Sequence, residues 1–410
     1  MQILYFAQYF SLPDEPGGSR AYQFARAWVE CGHSVTVITG NVNYNTLHVH
    51  EGSRGKISFT ETIDGVRVIR VWVYSRTRGS IQKRYVNFLS YAVTATLVGL
   101  FRGGRADIVY ATSTPLTAGI PGYLNALFRR IPFVFEIRDL WPESAVVAGA
   151  LPAGSFITRF AQSLACFLYA RAAHMVAVTQ GIVDGLLLHA VPPERVLLAP
   201  NGVDDWIVNS QPLPPPSESE AFRIVYAGAH GMWNGLEQIL DAAAILRDQS
   251  RIEFLFIGDG ERRDALIERA QTEGLDHVRF LGPVPKREAF RLLQEASASI
   301  IVTWDHPFQK MILANKLFDY LAAGRPTIVA AVGEMEELVR EADAGIVVPP
   351  GRPDLLADAI LRLARLAPED RQRLGENGRR YVIKHCQRRH LADRILQVFT
   401  DVIRKRGSTR

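Results

Sequence analysis

Short apolar runs alternate with longer amphipathic stretches along most of the 410-residue chain. In the first half the apolar runs are ILYFA, SVTVIT, VRVIRVWV, ADIVYAT, PFVFEIRD and HMVAVT. In the second half they are FRIVYAG, IEFLFIGDG, VRFLG, SASIIVT, TIVAAVG and AGIVVPP. Strands that alternate with helices are typical of βαβ units and a mostly parallel sheet. The pattern therefore predicts two α/β halves, each built as a doubly wound, Rossmann-like sheet.

One segment interrupts this alternation, the proline-, serine- and acid-rich NSQPLPPPSESEA of residues 209–221. We interpret it as a linker between an N-terminal domain, 1–208, and a C-terminal domain, 222–385. A final helix is predicted over 386–410, and whether it returns to the N-terminal domain is left open. Ligands of open α/β sheets bind beyond the carboxyl ends of the strands, so both domains are predicted to face a central cleft.

The bulk composition narrows the class of protein. The formal net charge is +5, the pI is near 9.1, and the basic residues are scattered along the chain. This argues against a nucleic-acid binder and fits a protein that handles anionic ligands or lies against an anionic membrane. Cys31, Cys166 and Cys386 are far apart and form no CxxC pair, so neither a disulfide framework nor a zinc site is predicted.

Two features bear on location. The N-terminal MQILYFAQYF lacks a basic region and a cleavage motif, so we interpret it as a strand rather than a signal peptide. No run reaches the roughly 18 apolar residues that a membrane span needs. Segments 76–105 and 156–174 place basic residues around an aromatic, apolar middle, which is typical of interfacial helices or of core helices with solvated faces. We expect a cytoplasmic protein, with peripheral attachment to the inner face of the plasma membrane as a hypothesis.

Glycine-rich turns between strands and helices are the first candidates for a ligand site. Gly17 and Gly18 precede a helix that Ser19 is predicted to cap, and Gly228 and Gly231 hold the corresponding position in the second half. Glycine lets backbone amides approach a ligand, and a helix N-terminus carries positive partial charge. Both loops are therefore candidate phosphate or sugar sites, and the alternative is that each is a plain βα turn.

A third glycine loop follows the next strand of the second half, in FIGDGERRDAL. Gly258 ends this strand and is included among the candidate substrate-binding positions. Asp259 and Glu261 are interpreted as structural, because acids stabilise the start of a helix. None of the glycine loops is a GxGxxG, so the dinucleotide fingerprint of a nicotinamide dehydrogenase is absent.

The stretch ILANKLFDYLAAGRPTIVA carries two charges on a predicted helix that Gly324 ends. Lys316 and Asp319 lie at i, i+3 on one face of it. One interpretation is a surface salt bridge, worth only about 0.3–0.5 kcal/mol. The other is that this face binds a nucleotide, with Lys316 on a diphosphate and Asp319 on two vicinal ribose hydroxyls.

Several motifs together resemble the retaining glycosyltransferases of family 4. They are PNGVD, FIGDG, NKLFDYLAAGRP, AGIVVPPG and PGGSRAYQFARAWVECGHSVTVIT. FEIRDLWPES further resembles the bacterial subgroup that builds surface polysaccharides, including amino-fucosyl transferases of O-antigen and capsule synthesis. The resemblance covers nearly the whole chain, and it implies the GT-B fold with a nucleotide-sugar donor held mainly by the C-terminal domain.

The resemblance also implies roles for individual positions in the second half. Asp319 stands where a glutamate binds the donor ribose, but Met311 replaces the family's other glutamate, so the two-carboxylate motif is incomplete. The usual basic pair after the first strand is missing, and His230 and Asn234 lie there instead. Lys316 and the amides of the neighbouring glycine loop are therefore expected to bind the diphosphate.

In the first half, Arg138 and Asp139 lie where the family often places a histidine beside the donor sugar. Arg138 is expected to hold phosphate and Asp139 to orient a sugar hydroxyl, with a local ion pair as the alternative. The family retains anomeric configuration, by a front-face path in which the leaving phosphate takes the acceptor's proton. The chain has no DxD run at a strand end and no histidine cluster, so we predict no metal and no cofactor besides the donor.

The expected partners are a nucleotide-sugar donor, with uridine the commonest base in the subgroup, and a saccharide or undecaprenyl-diphosphate-linked acceptor. A nonhydrolysing sugar-nucleotide epimerase shares this fold type and remains the alternative function, although its expected acidic and histidine residues are not evident. A periplasmic sugar-binding protein would need an export signal.

Overall fold

The computed structural model describes residues 1–13, 15, 18–43, 48–75, 81–113, 115–217 and 219–407. The candidate residue Gly17 and the first part of segment 76–105 lie outside this range. The chain divides into two compact units, and each is described by itself. The first unit contains Met1–Pro200 and Arg388–Arg410, and the second contains Asn201–Gln387.

The first unit is built on an eight-stranded sheet with the order β3-β4-β2-β1-β5-β6-β7-β8. All neighbouring strands are parallel except β3 and β4, which form an antiparallel hairpin. The strands are β1 (Gln2–Phe6), β2 (Ser34–Gly40), β3 (Ser58–Ile63), β4 (Val66–Val71), β5 (Ile108–Thr112), β6 (Phe133–Ile137), β7 (His174–Ala177) and β8 (Val196–Leu198). The helices are α1 (Arg20–Glu30), α2 (Ile81–Arg102), α3 (Gly119–Arg129), α4 (Glu143–Val147), α5 (Phe156–Arg171), α6 (Gln180–Leu188) and α15 (Arg388–Gly407).

Alternating side chains of this sheet pack against helices on its two faces, as a doubly wound sheet requires. Tyr5 and Tyr110 lie in a buried cluster with Trp28 of α1 and Phe399 of α15. The Trp28 ring lies 5.2 Å from that of Phe399, and the indole N–H donates to the carbonyl of Ala392 at 3.0 Å. The C-terminal helix α15 therefore belongs to the first unit, where it packs beside α1.

The second unit has a six-stranded, entirely parallel sheet with the order β11-β10-β9-β12-β13-β14. The strands are β9 (Phe222–Ala227), β10 (Ile252–Ile257), β11 (Val278–Gly282), β12 (Ala298–Val302), β13 (Thr327–Ala330) and β14 (Gly345–Val348). The helices are α7 (Asp205–Val208), α8 (Glu237–Ile245), α9 (Arg263–Thr272), α10 (Lys286–Gln294), α11 (Asn315–Ala322), α12 (Glu334–Glu341), α13 (Pro353–Arg365) and α14 (Pro368–His385). Both sheets confirm the predicted α/β architecture. Helices α13, α14 and α15 follow β14 along the chain.

The proline-rich segment 209–221 is held by the second unit, whereas the division between units falls at Pro200 and Asn201. Side chains of this unit donate to its carbonyl groups at several positions. Arg379 reaches Ser210 at 2.6 Å, Gln294 reaches Gln211 at 3.2 Å, and Arg325 reaches Pro214 at 2.6 Å. Prolines have no N–H for a sheet ladder, and the carbonyls of such a segment find side-chain donors instead.

Candidate functional site

Lys316 lies in the first turn of α11, and two neutral oxygens accept hydrogen bonds from its ammonium group. The Nζ atom donates to the Tyr226 hydroxyl and to Asn234 Oδ1, each at 2.6 Å, and lies 4.5 Å from the centre of the Tyr226 ring. Burial lowers the pKa of Lys316 from 10.5 to about 7. A cation in the first helical turn also faces the positive end of the helix dipole. The positive charge of Lys316 is therefore poorly neutralised by its surroundings.

Both acceptors are fixed by the loop that follows β9. The Tyr226 hydroxyl donates to the carbonyl of Ala229 at 2.7 Å, and the Asn234 amide donates to the same carbonyl at 2.9 Å. Burial raises the pKa of Tyr226 well above its ordinary value, which keeps the hydroxyl neutral. The loop thus presents a preorganised pair of uncharged acceptors to Lys316.

Close approaches constrain Gly228 and Gly258 more tightly than Gly231. A Cβ at Gly228 would lie 3.3 Å from both Nζ and Cδ of Lys316, whereas one at Gly231 would make an ordinary 3.5 Å contact with Asn234. Gly258 has a φ of +130°, and a Cβ there would lie 2.0 Å from the Gly228 carbonyl oxygen. The structure therefore gives Gly258 a packing role, as the residue that lets the FIGDG loop support the loop after β9.

His230 lies in the same loop, but its side chain points into the core. The imidazole is fully buried, and its centre lies about 6 Å from the rings of Tyr226, Phe256 and Phe280. Burial, together with the nearby charge of Arg263, lowers the pKa of His230, so the ring is neutral. The structure therefore places the side chain of His230, a predicted substrate-binding residue, among aromatic rings of the core. A neutral, enclosed imidazole cannot replace a basic residue at the surface.

Asp319 is paired with a lysine that sequence reasoning did not select. Its Oδ2 atom lies 3.3 Å from Nζ of Lys286, at the start of α10. Lys286 also lies 2.7 Å from Oδ2 of the fully buried Asp204. One ammonium thus bridges two carboxylates, and it fixes Asp319 at the second turn of α11. The sequence spacing had paired Asp319 with Lys316 instead.

In the first unit, the candidate residues lie at the carboxyl end of β6 and at the start of α1. The Arg138 N–H donates to Ser113 Oγ at 2.9 Å, the Arg138 side chain is partly exposed, and Asp139 is exposed. Gly18 is also exposed, and a Cβ there would meet no atom within 4 Å. Ser19 occupies the cap position of α1 without capping it, because its hydroxyl accepts from Arg388 at 3.0 Å.

Beneath these residues lies an ion pair that the sequence pattern did not reveal. Arg20 Nε lies 2.8 Å from Glu136 Oε1, and the two side chains are 2% and 1% exposed. The Arg20 guanidinium also donates to the carbonyls of Ala199 and Pro200. Among the described residues, no group of three or more His, Cys, Asp or Glu side chains is placed to hold a metal ion.

Comparisons with known proteins identify the family. Residues 17–202 match the model of a glycosyl transferase 4-like domain, and residues 221–365 match that of glycosyl transferases group 1. The two models together cover most of the chain. The chain belongs to the family 4 glycosyltransferases of GT-B fold, and it is a glycosyltransferase.

Individual relatives agree with this assignment. WbjE of Pseudomonas aeruginosa, a probable glycosyltransferase, is 24% identical over 298 residues, which are 68% of this chain and 73% of WbjE. WcaI of Escherichia coli K12, a putative colanic acid biosynthesis glycosyl transferase, is 24% identical over 317 residues, 73% of this chain and 76% of WcaI. The structure of Anabaena Alr3699/HepE in complex with UDP matches the fold with a TM-score of 0.70 at 15% identity, covering 98% of this chain and all of HepE.

Proposed function

We propose that this glycosyltransferase takes its sugar from a nucleoside-diphosphate donor and that Lys316 binds the diphosphate. The observation that carries the proposal is an ammonium at the carboxyl end of β9 whose hydrogen bonds, among the described residues, go to the neutral oxygens of Tyr226 and Asn234. A bound diphosphate would neutralise the charge of Lys316 through charge-assisted hydrogen bonds. The Anabaena relative was solved with UDP and also with UDP-glucose, which supports uridine as the base.

The chemical step follows from where charge develops. As the glycosidic bond breaks, negative charge grows on the leaving diphosphate, and a preorganised donor at that position stabilises the transition state. Lys316 provides that donor, and the carboxylate of Asp319 accepts hydrogen bonds from the ribose hydroxyls. We propose retention of anomeric configuration with the leaving diphosphate accepting the acceptor's proton, a path that needs no protein base and no divalent cation.

Arg138 and Asp139 remain our candidates for contact with the transferred sugar and its phosphate. Their position after β6 is where α/β sheets bind ligands. The backbone of Arg138 is fixed by Ser113, and the residue is partly exposed to solvent. Arg138 would assist the diphosphate, and Asp139 would orient a sugar hydroxyl.

The proposed acceptor is a saccharide or an undecaprenyl-diphosphate-linked saccharide of a bacterial surface polysaccharide. The name of the relative WcaI refers to colanic acid biosynthesis, which supports this class of product. No helix within the described residues has the length and apolar character needed to cross a bilayer. Because a lipid-linked acceptor is anchored in the membrane, we include attachment of the protein to the membrane surface in the proposal.

Three helices of the first unit offer such a surface. The stretches that form α2, α3 and α5 contain no Asp or Glu and several Lys and Arg, and α3 packs against both α2 and α5. Apolar side chains on them are exposed to solvent, and on α2 they recur at helical spacing. They are Val86, Leu89, Val93, Leu97 and Phe101 of α2, Leu127 and Phe128 of α3, and Phe156, Ile157, Phe160 and Phe167 of α5. This combination fits an anionic lipid surface at the cytoplasmic face.

Product analysis tests the catalytic proposal. Purified protein is incubated with UDP-, GDP- and dTDP-sugars, with and without an undecaprenyl-diphosphate-linked saccharide. We expect release of nucleoside diphosphate and a lengthened acceptor with retained configuration, unaffected by EDTA. A donor sugar that changes configuration without any acceptor would indicate the epimerase instead, and loss of turnover in EDTA would contradict metal independence.

Liposome flotation tests the membrane proposal. The wild type is expected to float with vesicles of anionic phospholipid at low salt, and Leu89→Asp with Val93→Asp to remain at the bottom. Ile245→Asp is the matched control, because Ile245 is a similarly exposed apolar residue of the second unit. Absence of flotation by the wild type would contradict the proposal.

A further inference from the structure

The second unit exposes an aromatic cluster that the proposed function has not used. The Trp304 and His306 rings are nearly parallel, at 13°, with centres 4.8 Å apart. The Trp233 ring stands almost perpendicular to Trp304, at 5.1 Å. Trp304 nonetheless remains 44% exposed. We call these three residues the aromatic platform. Two other rings support this large, exposed indole. Such an arrangement can stack against the flat face of a ligand.

The platform is held rigidly by the loops after β9 and β12. The backbone N–H of Trp304 donates to the Trp233 carbonyl at 3.2 Å. The side-chain amide of Gln238 donates to the carbonyl of Thr303 at 2.9 Å. The ring of His306 is oriented by the Phe308 N–H, which donates to its Nδ1 at 3.2 Å. The rings are therefore placed before any ligand arrives, which lowers the entropic cost of binding.

The platform adjoins the diphosphate position. Trp233 is the immediate neighbour of Asn234, whose side-chain oxygen accepts from Lys316 at 2.6 Å. Asp319, proposed to bind the ribose, lies one turn further along α11 and is fixed from α10 by Lys286. Lys316 thus connects the two regions, because it shares α11 with Asp319 and contacts the residue that follows Trp233. In a nucleoside-diphosphate sugar the diphosphate likewise connects the ribose to the transferred sugar.

We propose that the aromatic platform is the subsite for the donor's transferred sugar, with the apolar C–H face of a pyranose stacked on Trp304. This inference rests on the proposed function, because it takes the orientation of the nucleotide from Lys316 and Asp319. An indole face offers area and no hydrogen-bond acceptor. The indole therefore selects sugars by the shape and apolar character of one face of the pyranose ring. Other groups of the protein must recognise the sugar hydroxyls.

Binding measurements with and without the sugar test this subsite. Calorimetry compares UDP with UDP-glucose, UDP-galactose and UDP-N-acetylglucosamine on the wild type, Trp304→Ala and Trp304→Phe. We expect Trp304→Ala to weaken the best nucleotide sugar about five- to tenfold and UDP less than about twofold, with Trp304→Phe in between. Trp72→Ala is the matched control, because Trp72 of the first unit is 47% exposed, close to Trp304.

The outcomes separate this inference from the proposed function. If Trp304→Ala weakens UDP and the nucleotide sugar equally, the ring contacts the nucleoside and the inference is overturned. It is also overturned if Trp304→Ala changes neither affinity, or if the wild type binds no UDP-sugar more tightly than UDP. In these cases the diphosphate site stands. If the wild type binds no nucleoside diphosphate at all, including GDP and dTDP, the proposed function itself fails.

Discussion

Each unit of the molecule places a basic side chain near the carboxyl ends of its strands, and the two positive charges are neutralised to very different degrees. In the first unit, Arg20 is 2% exposed and pairs with Glu136 at 2.8 Å. In the second unit, Lys316 donates to Tyr226 and Asn234, neither of which is charged. The same kind of residue, a cation at a strand end, thus meets a carboxylate in one unit and, among the residues that the structure describes, neutral oxygens in the other.

The titration behaviour of the two sites reflects this difference. Burial alone would raise the pKa of Glu136, but the charges of Arg20 and Arg138 outweigh it and the pKa is lowered. Burial of Lys316 lowers its pKa to about 7, and no charge within the described part of the chain offsets this effect. The charge of Arg20 is neutralised within the fold, whereas we propose that the charge of Lys316 is neutralised by a bound ligand. A buried cation therefore indicates a ligand-binding site only where no carboxylate of the protein neutralises it.

The largest expected effect is on the first unit, when its ion pair is broken. Arg20→Met leaves Glu136 buried without its partner, and removing one member of a buried pair typically costs about 3–5 kcal/mol. We expect the free energy of unfolding of the first unit to fall by this order, measured by urea titration. The Kd for UDP, measured on the folded protein, is expected to stay unchanged.

The double variant Arg20→Met with Glu136→Gln controls for this loss. With no charge left behind, we expect it to recover a substantial part of the stability, because the cost arises from the orphaned carboxylate. A single variant within about 1 kcal/mol of the wild type would contradict the structural role of the pair.

The second largest effect is on nucleotide binding by the second unit. Lys316→Ala removes a charge-assisted contact to the diphosphate, worth about 2 kcal/mol, or about thirtyfold in Kd for UDP. Asp319→Ala is expected to cost less, because a carboxylate bound to ribose hydroxyls loses no ionic partner in the ligand. Both variants should keep the circular dichroism spectrum of the wild type. Unchanged affinity in both, by calorimetry, would contradict the proposed site.

Much of the fold could be predicted from the hydrophobic pattern, because parallel strands buried on both faces are continuous apolar runs. The antiparallel strand β3 was missed, since its alternating residues are only half-buried. Its hairpin does have a local signal. Asp64 and Gly65 both have positive φ, at 47° and 80°, as an Asp-Gly hairpin turn requires.

The candidate site was less predictable than the fold. Lys316 and Asp319 could be selected from their spacing on one helix, but their partners are set by tertiary packing. Tyr226 is 90 residues from Lys316 in the sequence, and its hydroxyl could not be distinguished from that of a core tyrosine. His230 illustrates the converse, because a loop histidine looks accessible until the rings around it are placed. Local pattern identifies polar residues, and packing decides which of them face a ligand.

A third, intermediate effect concerns pH. Above about pH 7 the free protein holds Lys316 mostly neutral, whereas the diphosphate complex requires the ammonium. Binding therefore takes up a proton, and the affinity for UDP should fall by up to about tenfold per pH unit above 7. Calorimetry in buffers of different ionisation enthalpy measures this uptake directly. Lys316→Met should show none, and equal uptake in both proteins would contradict the assignment.

The lowered pKa of Lys316 also makes the folding stability depend on pH, but stability rises with pH where the affinity for UDP falls. Unfolded Lys316 stays protonated up to its ordinary pKa of 10.5, whereas the folded residue is mostly neutral above about 7. The unfolded chain binds more protons between these values, so this group's contribution to stability rises with pH across that window. The difference in unfolding free energy between the wild type and Lys316→Met should therefore shift in favour of the wild type as pH rises from 7 to 10.

The smallest expected effect is a displacement of Lys316 by one methyl group. In Gly228→Ala the new Cβ would lie 3.3 Å from Lys316 Nζ and from the Tyr226 hydroxyl, so these atoms must move by a few tenths of an ångström. We expect the Kd for UDP to rise a few-fold, by less than about 1 kcal/mol, with little change in stability. Gly231→Ala in the same loop is the control, since its Cβ makes only an ordinary 3.5 Å contact with Asn234. If the two variants bind UDP with equal affinity, the loop does not control the affinity through the position of the Lys316 ammonium.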